Sequence, residues 1–76
     1  MEIKVGGIYK HFKTGNLYKV IALAKNSETL DSVVVYEALY DNKESKIWVR
    51  PVSIFCEKIE WPKESGVFVD RFCLDS

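Results

Sequence analysis

The side chains best suited to chemistry in this sequence form an aromatic and basic group. The ligand-binding candidates are Tyr9, His11, Tyr36, Tyr40, Trp48, Arg50 and Arg71, and the same group includes Phe12, Lys13, Tyr18 and Phe72. On the surface of a small β domain, Tyr and Trp rings can stack on a base or enclose a cation, and Arg can hold a carboxylate or phosphate. The group therefore predicts a binding face for a small anionic ligand, a peptide or a nucleic-acid segment.

The same aromatic side chains have a competing structural role. A short chain has little volume to bury, and each aromatic residue buries roughly 150–250 Å². Tyr36 and Trp48 lie in the two most β-like runs of the sequence, so we expect both to be largely buried. Whether the aromatic group is core or binding surface stays open at this point.

The two arginines are harder to explain as simple surface charge. Arg50 and Arg71 are the only Arg against nine Lys, and Arg is selected where a planar, two-pronged donor is needed. A small domain cannot bury an unpaired guanidinium, so each requires an internal carboxylate or a ligand. Glu28, Glu37 and Asp70 are the candidate internal partners.

If those carboxylates do not saturate the arginines, the residue types predict one shallow anion pocket. We expect His11, Arg50 and Arg71 to converge there with at least one of Tyr9, Tyr36 or Tyr40. Arginines on opposite sides of the domain would contradict this single site.

Catalysis and metal binding are disfavoured by the remaining reactive residues. His11 is the only histidine, and a general base needs an orienting partner that the sequence does not show. Cys56 and Cys73 are seventeen residues apart in apolar surroundings, and with His11 they supply three soft ligands where zinc takes about four. We expect two free, mostly buried thiols, no metal, no cofactor and a non-enzymatic role.

Length and composition bound the fold. The 76 residues are 47% hydrophobic, which predicts one globular domain over residues 1–76 and excludes dinucleotide-binding and (β/α)₈-barrel enzymes. The sequence has 11 acidic and 11 basic residues, so its net charge does not attract nucleic acid. An excess of basic residues at positions 1–25 is a weak indication of nucleic-acid binding. No apolar run resembles a signal peptide or a membrane helix, which predicts a cytoplasmic location and no membrane partner.

Short β-type runs separated by turn residues dominate the sequence. The strands are predicted at residues 7–12, 17–24, 32–40, 47–50, 57–61 and 67–72. Thr14-Gly15-Asn16 is predicted to form a hairpin turn in which Gly15 or Asn16 has positive φ. Pro51 either ends a strand or occupies the first position of one helical turn, with Val52, Ile54, Phe55 and Cys56 packed inward. The pattern predicts a mainly β fold, a small antiparallel barrel of five to six strands or a strongly bent sheet.

A family resemblance coincides with the binding candidates. Residues 7–13 (GIYKHFK), followed by residues 15–18 (GNLY), resemble the G-x-Y-x-H-F-K-G-x-x-Y opening of a small, mainly bacterial family of unknown function. The resemblance continues through Ser27-Glu28-Thr29, Val35-Tyr36, Ala38-Leu39-Tyr40, Trp48-Val49-Arg50-Pro51, Phe55 and Arg71-Phe72. It implies an SH3-like small β-barrel and brings no biochemical activity with it.

The sequence departs from the family pattern at two positions. The family usually has His before its Ser-Glu-Thr, where this chain has Asn26, and Thr14 lengthens the first turn by one residue. A chemistry that required that imidazole would be lost here. The leading hypothesis is a non-enzymatic binding module, and the second is an interaction or structural accessory domain whose strand edge pairs with a partner or a second copy. The third and least favoured is an enzyme that uses His11 with Arg50 or Arg71.

Overall fold

The computed structural model describes residues 3–75, which form seven strands and one helical turn. The elements are β1 (Ile8–His11), β2 (Leu17–Lys25), β3 (Ser32–Ala38), β4 (Ile47–Pro51), α1 (Val52–Phe55), β5 (Lys58–Glu60), β6 (Phe68–Asp70) and β7 (Phe72–Leu74). The mainly β class is confirmed. There is one strand more than predicted because the last run divides at Arg71, whose N–H donates to Glu57 and whose carbonyl accepts from Phe12.

Five strands form one antiparallel sheet in the order β4-β3-β2-β1-β7, and β5 and β6 pair separately. Val20 and Trp48 flank Tyr36 in register, and His11 pairs with Phe72. Because alternate residues of a strand face the same way, these five side chains share the inner face of the sheet.

The large sheet is strongly bent. A register shift between Val20 and Ala22 inserts an extra residue into β2, and such bulges bend the strand and increase its twist. Within residues 3–75, β4 and β7 stay unpaired with each other, so the sheet is curled and not closed by hydrogen bonds. The SH3-like assignment stays a prediction.

Aromatic rings fill the space inside the curl. The core consists of Tyr9, Val20, Val34, Tyr36, Phe55 and Phe72. Phe55 and Phe72 stack in parallel with centroids 4.3 Å apart, and Tyr9 meets Phe55 edge-on at 5.4 Å. Val34, Tyr36 and Ala38 alternate along β3 and are all buried, and the strand predicted at residues 32–40 ends two residues earlier, at Ala38.

Pro51 ends β4, as predicted, but it is the N-cap of α1 and not its first residue, because the helical turn begins at Val52. Phe55 enters the core, and Val52 and Cys56 pack against it. Ile54 was expected to point inward, but it is exposed because a single turn buries only one side. No helix within residues 3–75 has the length and apolar character needed to cross a membrane.

The first turn and the two cysteines agree with the sequence-based expectations except for the exposure of Cys73. Gly15 adopts φ +74°, and its N–H donates to the His11 carbonyl. Cys56 and Cys73 are both free thiols, as expected. Their predicted burial is wrong for Cys73, which is exposed because it alternates with the inward-facing Phe72 along β7.

Candidate functional site

The inner face carries a small cavity at its β3–β4 side, which we call the Arg50 pocket. It has a volume of about 220 Å³ and is lined by Tyr18, Tyr36, Asn42, Trp48 and Arg50. Tyr36 and Trp48 are paired across β3 and β4, and Arg50 follows Trp48 by two residues on the same strand. Strand alternation therefore brings three of the predicted site residues to one place.

The guanidinium of Arg50 is held in position by two aromatic residues. Its Nε donates a 3.3 Å hydrogen bond to the hydroxyl of Tyr36, and its central carbon lies 5.6 Å from the ring centroid of Phe72. Neither terminal nitrogen of Arg50 has a hydrogen-bond partner within residues 3–75, and no carboxylate lines the pocket. The pocket thus presents a fixed, uncompensated positive charge.

The three carboxylates considered as partners for the arginines form no ion pair with Arg50 or Arg71 among residues 3–75. Glu37 contacts Lys46 at 3.5 Å, and Asp70 contacts Lys58 at 3.0 Å. Glu28 makes no ion pair among the described residues. The alternative in which these carboxylates saturate both arginines is therefore not found among residues 3–75.

A chain of hydrogen bonds closes the pocket on the side of the β3–β4 connector. The hydroxyls of Tyr18 and Tyr40 are 2.9 Å apart, and Asn42 Nδ2 donates to Tyr40 at 2.9 Å. Burial, followed by the bond to Tyr40, raises the pKa of Tyr18 to about 12, so its phenol stays neutral. Tyr40 supports the pocket from behind Tyr18 and does not line it.

The sequence did not reveal Asn42. Its Oδ1 accepts from the backbone N–H groups of Glu44 and Ser45, which orders the connector and directs the side-chain amide to Tyr40. An Asn in a charged connector carries no signal of such a role. Tyr18 could have been found, because it stands two residues before Val20 on the inner face of β2.

Trp48 forms a partly open wall of the pocket. Its Nε1 donates to the carbonyl of Ser45 at 2.9 Å, which fixes the plane of the indole. Tyr36 is only 4% exposed, as predicted, and Trp48 is partly buried and packs against the core. β4 is an edge strand, so no neighbouring strand covers the outer side of Trp48.

Tyr9 belongs to the core. It is 3% exposed, and its hydroxyl accepts a 2.9 Å hydrogen bond from the backbone N–H of Lys4. It lines neither the Arg50 pocket nor the larger cavity described below. Its role in ligand binding, predicted from its residue type, has no geometric support.

His11 lies next to the pocket, on the other side of Phe72. Its ring meets Phe72 edge-on at 5.1 Å, and its Nδ1 accepts from the backbone N–H of Lys13 at 3.3 Å. Burial lowers the pKa of His11, and the charges of Arg50, Arg71 and Lys13 lower it further. The imidazole is therefore neutral at neutral pH, with its proton on Nε2.

Arg71 shares this side of the domain but is compensated. The charges of both arginines lower the pKa of His11, but neither His11 nor Arg71 lines the Arg50 pocket, so the convergence of the three basic residues on one pocket stays a prediction. However, an Arg71 terminal nitrogen donates to Glu57 at 3.2 Å. Its Nε is buried without a hydrogen-bond partner in the described chain, and Arg71 does not line the pocket.

A second and larger cavity opens on the outer side of β1 and β7, and we call it the β1–β7 depression. Its volume is about 480 Å³, and its lining residues are Lys10, His11, Phe12, Lys13, Thr14, Gly15, Val69, Asp70 and Cys73. Lys10 and Cys73 are cross-strand partners that face away from the core. The depression is lined by two lysines, Lys10 and Lys13, and by one carboxylate, Asp70. Asp70 forms its ion pair with Lys58, which does not line the depression.

Of the two positions that depart from the family pattern, Thr14 lines the β1–β7 depression and Asn26 lines neither cavity. Asn26 closes the turn between β2 and β3, where its Oδ1 accepts from the N–H groups of Glu28 and Thr29. An imidazole missing at this position does not alter the lining of the Arg50 pocket. Within residues 3–75, no group of three or more His, Cys, Asp and Glu side chains is placed to hold a metal ion.

Comparison with known proteins identifies relatives by sequence and by structure. The model of a family described as "Protein of unknown function (DUF1653)" matches residues 7–73. The crystal structure of a protein of that family from Bordetella bronchiseptica is similar with a TM-score of 0.78 and 30% identity, covering 93% of this chain and 85% of the other. A search of curated proteins gives no match.

Proposed function

This chain belongs to the DUF1653 family, a family of unknown function, and we propose that it is a non-enzymatic binding module that holds a small anionic group in the Arg50 pocket. The observation that carries the proposal is the guanidinium of Arg50, which is positioned by Tyr36 and Phe72 and has no carboxylate beside it within residues 3–75. An uncompensated charge in a partly desolvated site favours an anion as its partner.

The hydrogen-bonding groups of the pocket support the same proposal. Tyr36 accepts from Arg50 Nε, so its own hydroxyl proton is available as a donor. Asn42 uses its oxygen on the backbone and one amide proton on Tyr40, which leaves the second amide proton. With the terminal N–H groups of Arg50, the free groups are mainly donors. A ligand rich in acceptors, such as an oxyanion, complements them.

Titration of the labelled protein with inorganic phosphate, acetate, benzoate and adenosine monophosphate tests the proposal. The chain has two tryptophans, so a ¹H–¹⁵N spectrum contains two indole signals. At least one anion should shift the signal of Trp48, which lines the pocket, and leave that of Trp61 unchanged.

Charge-matched variants assign the binding to the pocket. Arg50→Met should abolish the Trp48 shift, whereas Lys46→Met removes an exposed positive charge outside the pocket and should keep it. If none of the four anions moves the Trp48 signal, or if both variants bind alike, the proposal is wrong.

A second candidate function is self-association through β4, and it rests on a different surface. β4 is an edge of the sheet, and its outward side chains Ile47 and Val49 are 46% and 63% exposed. Val49 lies opposite Val35, so the apolar surface continues onto β3. An unpaired edge beside exposed apolar side chains is suited to pairing with the same edge of a second copy.

The oligomeric state decides this second candidate. Light scattering across a concentration series should show a dimer that Val49→Lys converts to monomer, while Val67→Lys, at another exposed valine, leaves the dimer intact. A monomer at all concentrations would exclude self-association and leave the anion proposal unaffected.

A further inference from the structure

The charges around the Arg50 pocket add up to a single positive charge. Arg50 contributes it, and no other ionised side chain lines the cavity. Arg71 is paired with Glu57 at 3.2 Å, so that pair adds no net charge. His11 is neutral at neutral pH, because burial and the nearby cations lower its pKa. A monovalent anion therefore neutralises this side of the domain.

A phosphate group does not fit this arrangement well. A phosphate monoester carries about −1.5 to −2 charges at pH 7 and is usually held by several cations, by backbone N–H groups or by a helix N-terminus. None of the five lining residues belongs to a helix. The donors around the cavity are those of one guanidinium, one phenol and one amide. This set matches a planar group with two oxygens.

The volume and the lining residues of the cavity limit the kind of group that can be attached to the anion. Pockets for drug-sized molecules have volumes of roughly 300–1,000 Å³. At about 220 Å³, this cavity holds one small acid or the terminal group of a longer molecule. Three of its five lining residues, Tyr18, Tyr36 and Trp48, are aromatic. A group attached to the anion would contact rings, which favours an apolar or aromatic substituent.

We propose that the Arg50 pocket binds a carboxylate that carries an apolar or aromatic group, in preference to a phosphate. This inference rests on the proposed function and names the ligand class of the same site. The terminal nitrogens of Arg50 donate to the two carboxylate oxygens, the Tyr36 hydroxyl and the Asn42 amide supply further donors, and the substituent lies along Trp48.

The central experiment compares ligands that differ in one group. Benzoate, phenyl phosphate and benzamide share a ring and present a carboxylate, a phosphate and a neutral amide. Each is titrated against the wild-type protein while the indole signals of Trp48 and Trp61 are followed. Benzoate should bind about tenfold or more tightly than either analogue, the factor expected from charge-assisted, two-pronged hydrogen bonding.

A conservative variant separates charge from geometry. Arg50→Lys keeps the positive charge and removes the planar fork, so benzoate should bind about tenfold more weakly. Lys46→Met is the control outside the pocket and should bind benzoate like the wild type. Equal binding of benzoate by Arg50→Lys and wild type would contradict the two-pronged contact. The ligand comparison needs only the wild-type protein, so it stands even if a variant fails to fold.

A free acid and a chain terminus can present the same carboxylate, and peptides distinguish them. A hexapeptide ending in Phe is compared with the same peptide amidated at its C-terminus. If the free peptide binds tighter than benzoate and the amidated one does not bind, the ligand is a C-terminal carboxylate. If benzoate binds tighter than both peptides, the ligand is a small free acid. Both outcomes support the carboxylate.

The two proposals fail in different ways. Tighter binding of phenyl phosphate than of benzoate would overturn the carboxylate inference and leave anion binding intact. Absence of a Trp48 shift with benzoate, phenyl phosphate, inorganic phosphate and adenosine monophosphate would overturn both.

Discussion

The Arg50 pocket and the β1–β7 depression differ in how their positive charges are held. The β1–β7 depression is the larger, at about 480 Å³ against about 220 Å³, and Lys10 and Lys13 line it. In the Arg50 pocket a single guanidinium is bonded to Tyr36 and lies over Phe72. The larger cavity has more cations, and the smaller one has a cation in a defined position.

This difference shows why neither volume nor the number of charges identifies a site. Immobilising a flexible Lys costs up to about 2 kcal/mol of side-chain entropy, and exposed charges are screened within about 10 Å at ordinary ionic strength. Arg50 is already positioned, so a ligand would lose less free energy in ordering it. We therefore assign the anion to the smaller cavity.

The largest effect is expected at Phe72, a core residue that contacts one lining residue of each cavity. Phe72 is 2% exposed, stacks on Phe55 and contacts both His11 and Arg50. Phe72→Ala should lower the free energy of unfolding by about 3–5 kcal/mol, because it leaves a core cavity. Urea denaturation measures the change. The exposed Phe68 is the matched control, and Phe68→Ala should cost less than about 0.5 kcal/mol.

Removing the hydrogen bond between Tyr36 and Arg50 should reduce stability less than Phe72→Ala does, and should weaken ligand binding only at the Arg50 pocket. Tyr36→Phe removes the buried acceptor of Arg50 Nε and should cost about 0.5–1.5 kcal/mol. The same variant should weaken benzoate binding, because Arg50 loses its anchor. Thr14→Ala, at the rim of the depression, should leave benzoate binding unchanged. If Tyr36→Phe binds benzoate like the wild type, the hydrogen bond does not position the guanidinium.

The pKa of His11 reports on the cations of both cavities at once. It is the only histidine, so NMR titration of its ring protons is unambiguous. Removing a neighbouring positive charge should raise this pKa towards the ordinary value of 6.5. Arg50→Met should raise it more than Lys13→Met, because Arg50 is the larger electrostatic cause. The reverse order would mean that Lys13 is as well fixed as Arg50.

The same histidine should make stability depend on pH. Burial and the nearby cations lower the pKa of His11 in the folded state below its unfolded value of about 6.5. The unfolded state then binds more protons, so stability is retained above pH 6.5 and lost as the pH falls through the folded pKa. His11→Gln should flatten this part of the curve. Chemical denaturation between pH 7.5 and 5 checks it, and identical slopes would contradict the lowered pKa.

The smallest effect is expected from chemical modification of the β1–β7 depression, which should leave the affinity for benzoate unchanged. Cys73 is exposed and lines it, whereas burial raises the pKa of the half-buried Cys56 thiol. Iodoacetamide should therefore modify Cys73 first, and mass spectrometry of peptides would confirm the position. The modified protein should bind benzoate with unchanged affinity. Loss of binding would move the anion site to the β1–β7 depression.

Much of the fold could be predicted, because strand periodicity is a local property. The runs around β1 to β4 appear where alternation and turn residues place them, and Gly15 supplies the positive φ of the first turn. The last run could not be divided correctly from its sequence. Its interruption at Arg71 depends on two distant backbone partners, Glu57 and Phe12, which no local pattern reveals.

The candidate site was predicted less completely. Its residue types were correct for Tyr36, Trp48 and Arg50, because rare Arg and aromatic side chains at alternate positions mark one face of a strand. Asn42 was missed, and Tyr9 was included although it is buried in the core. Both errors have one cause. A residue type states what a side chain can do, but burial and hydrogen-bond partners determine whether it is available.

The sequence by itself determined the mainly β class, the family and the chemical nature of the candidate residues. The class and the candidate residues follow from composition, periodicity and residue type, and the family follows from its matching motif. All of these are properties of a linear chain. Only the tertiary structure decided which arginine is free. Arg50 and Arg71 are equivalent in the sequence, but the pairing of β5 with β6 sets Lys58 opposite Asp70 and so brings the adjacent Glu57 to Arg71. Arg50 contacts Tyr36 and Phe72, and no carboxylate pairs with it within residues 3–75. Ion pairing acts over a few ångströms, so it is settled by contacts between residues far apart in the chain.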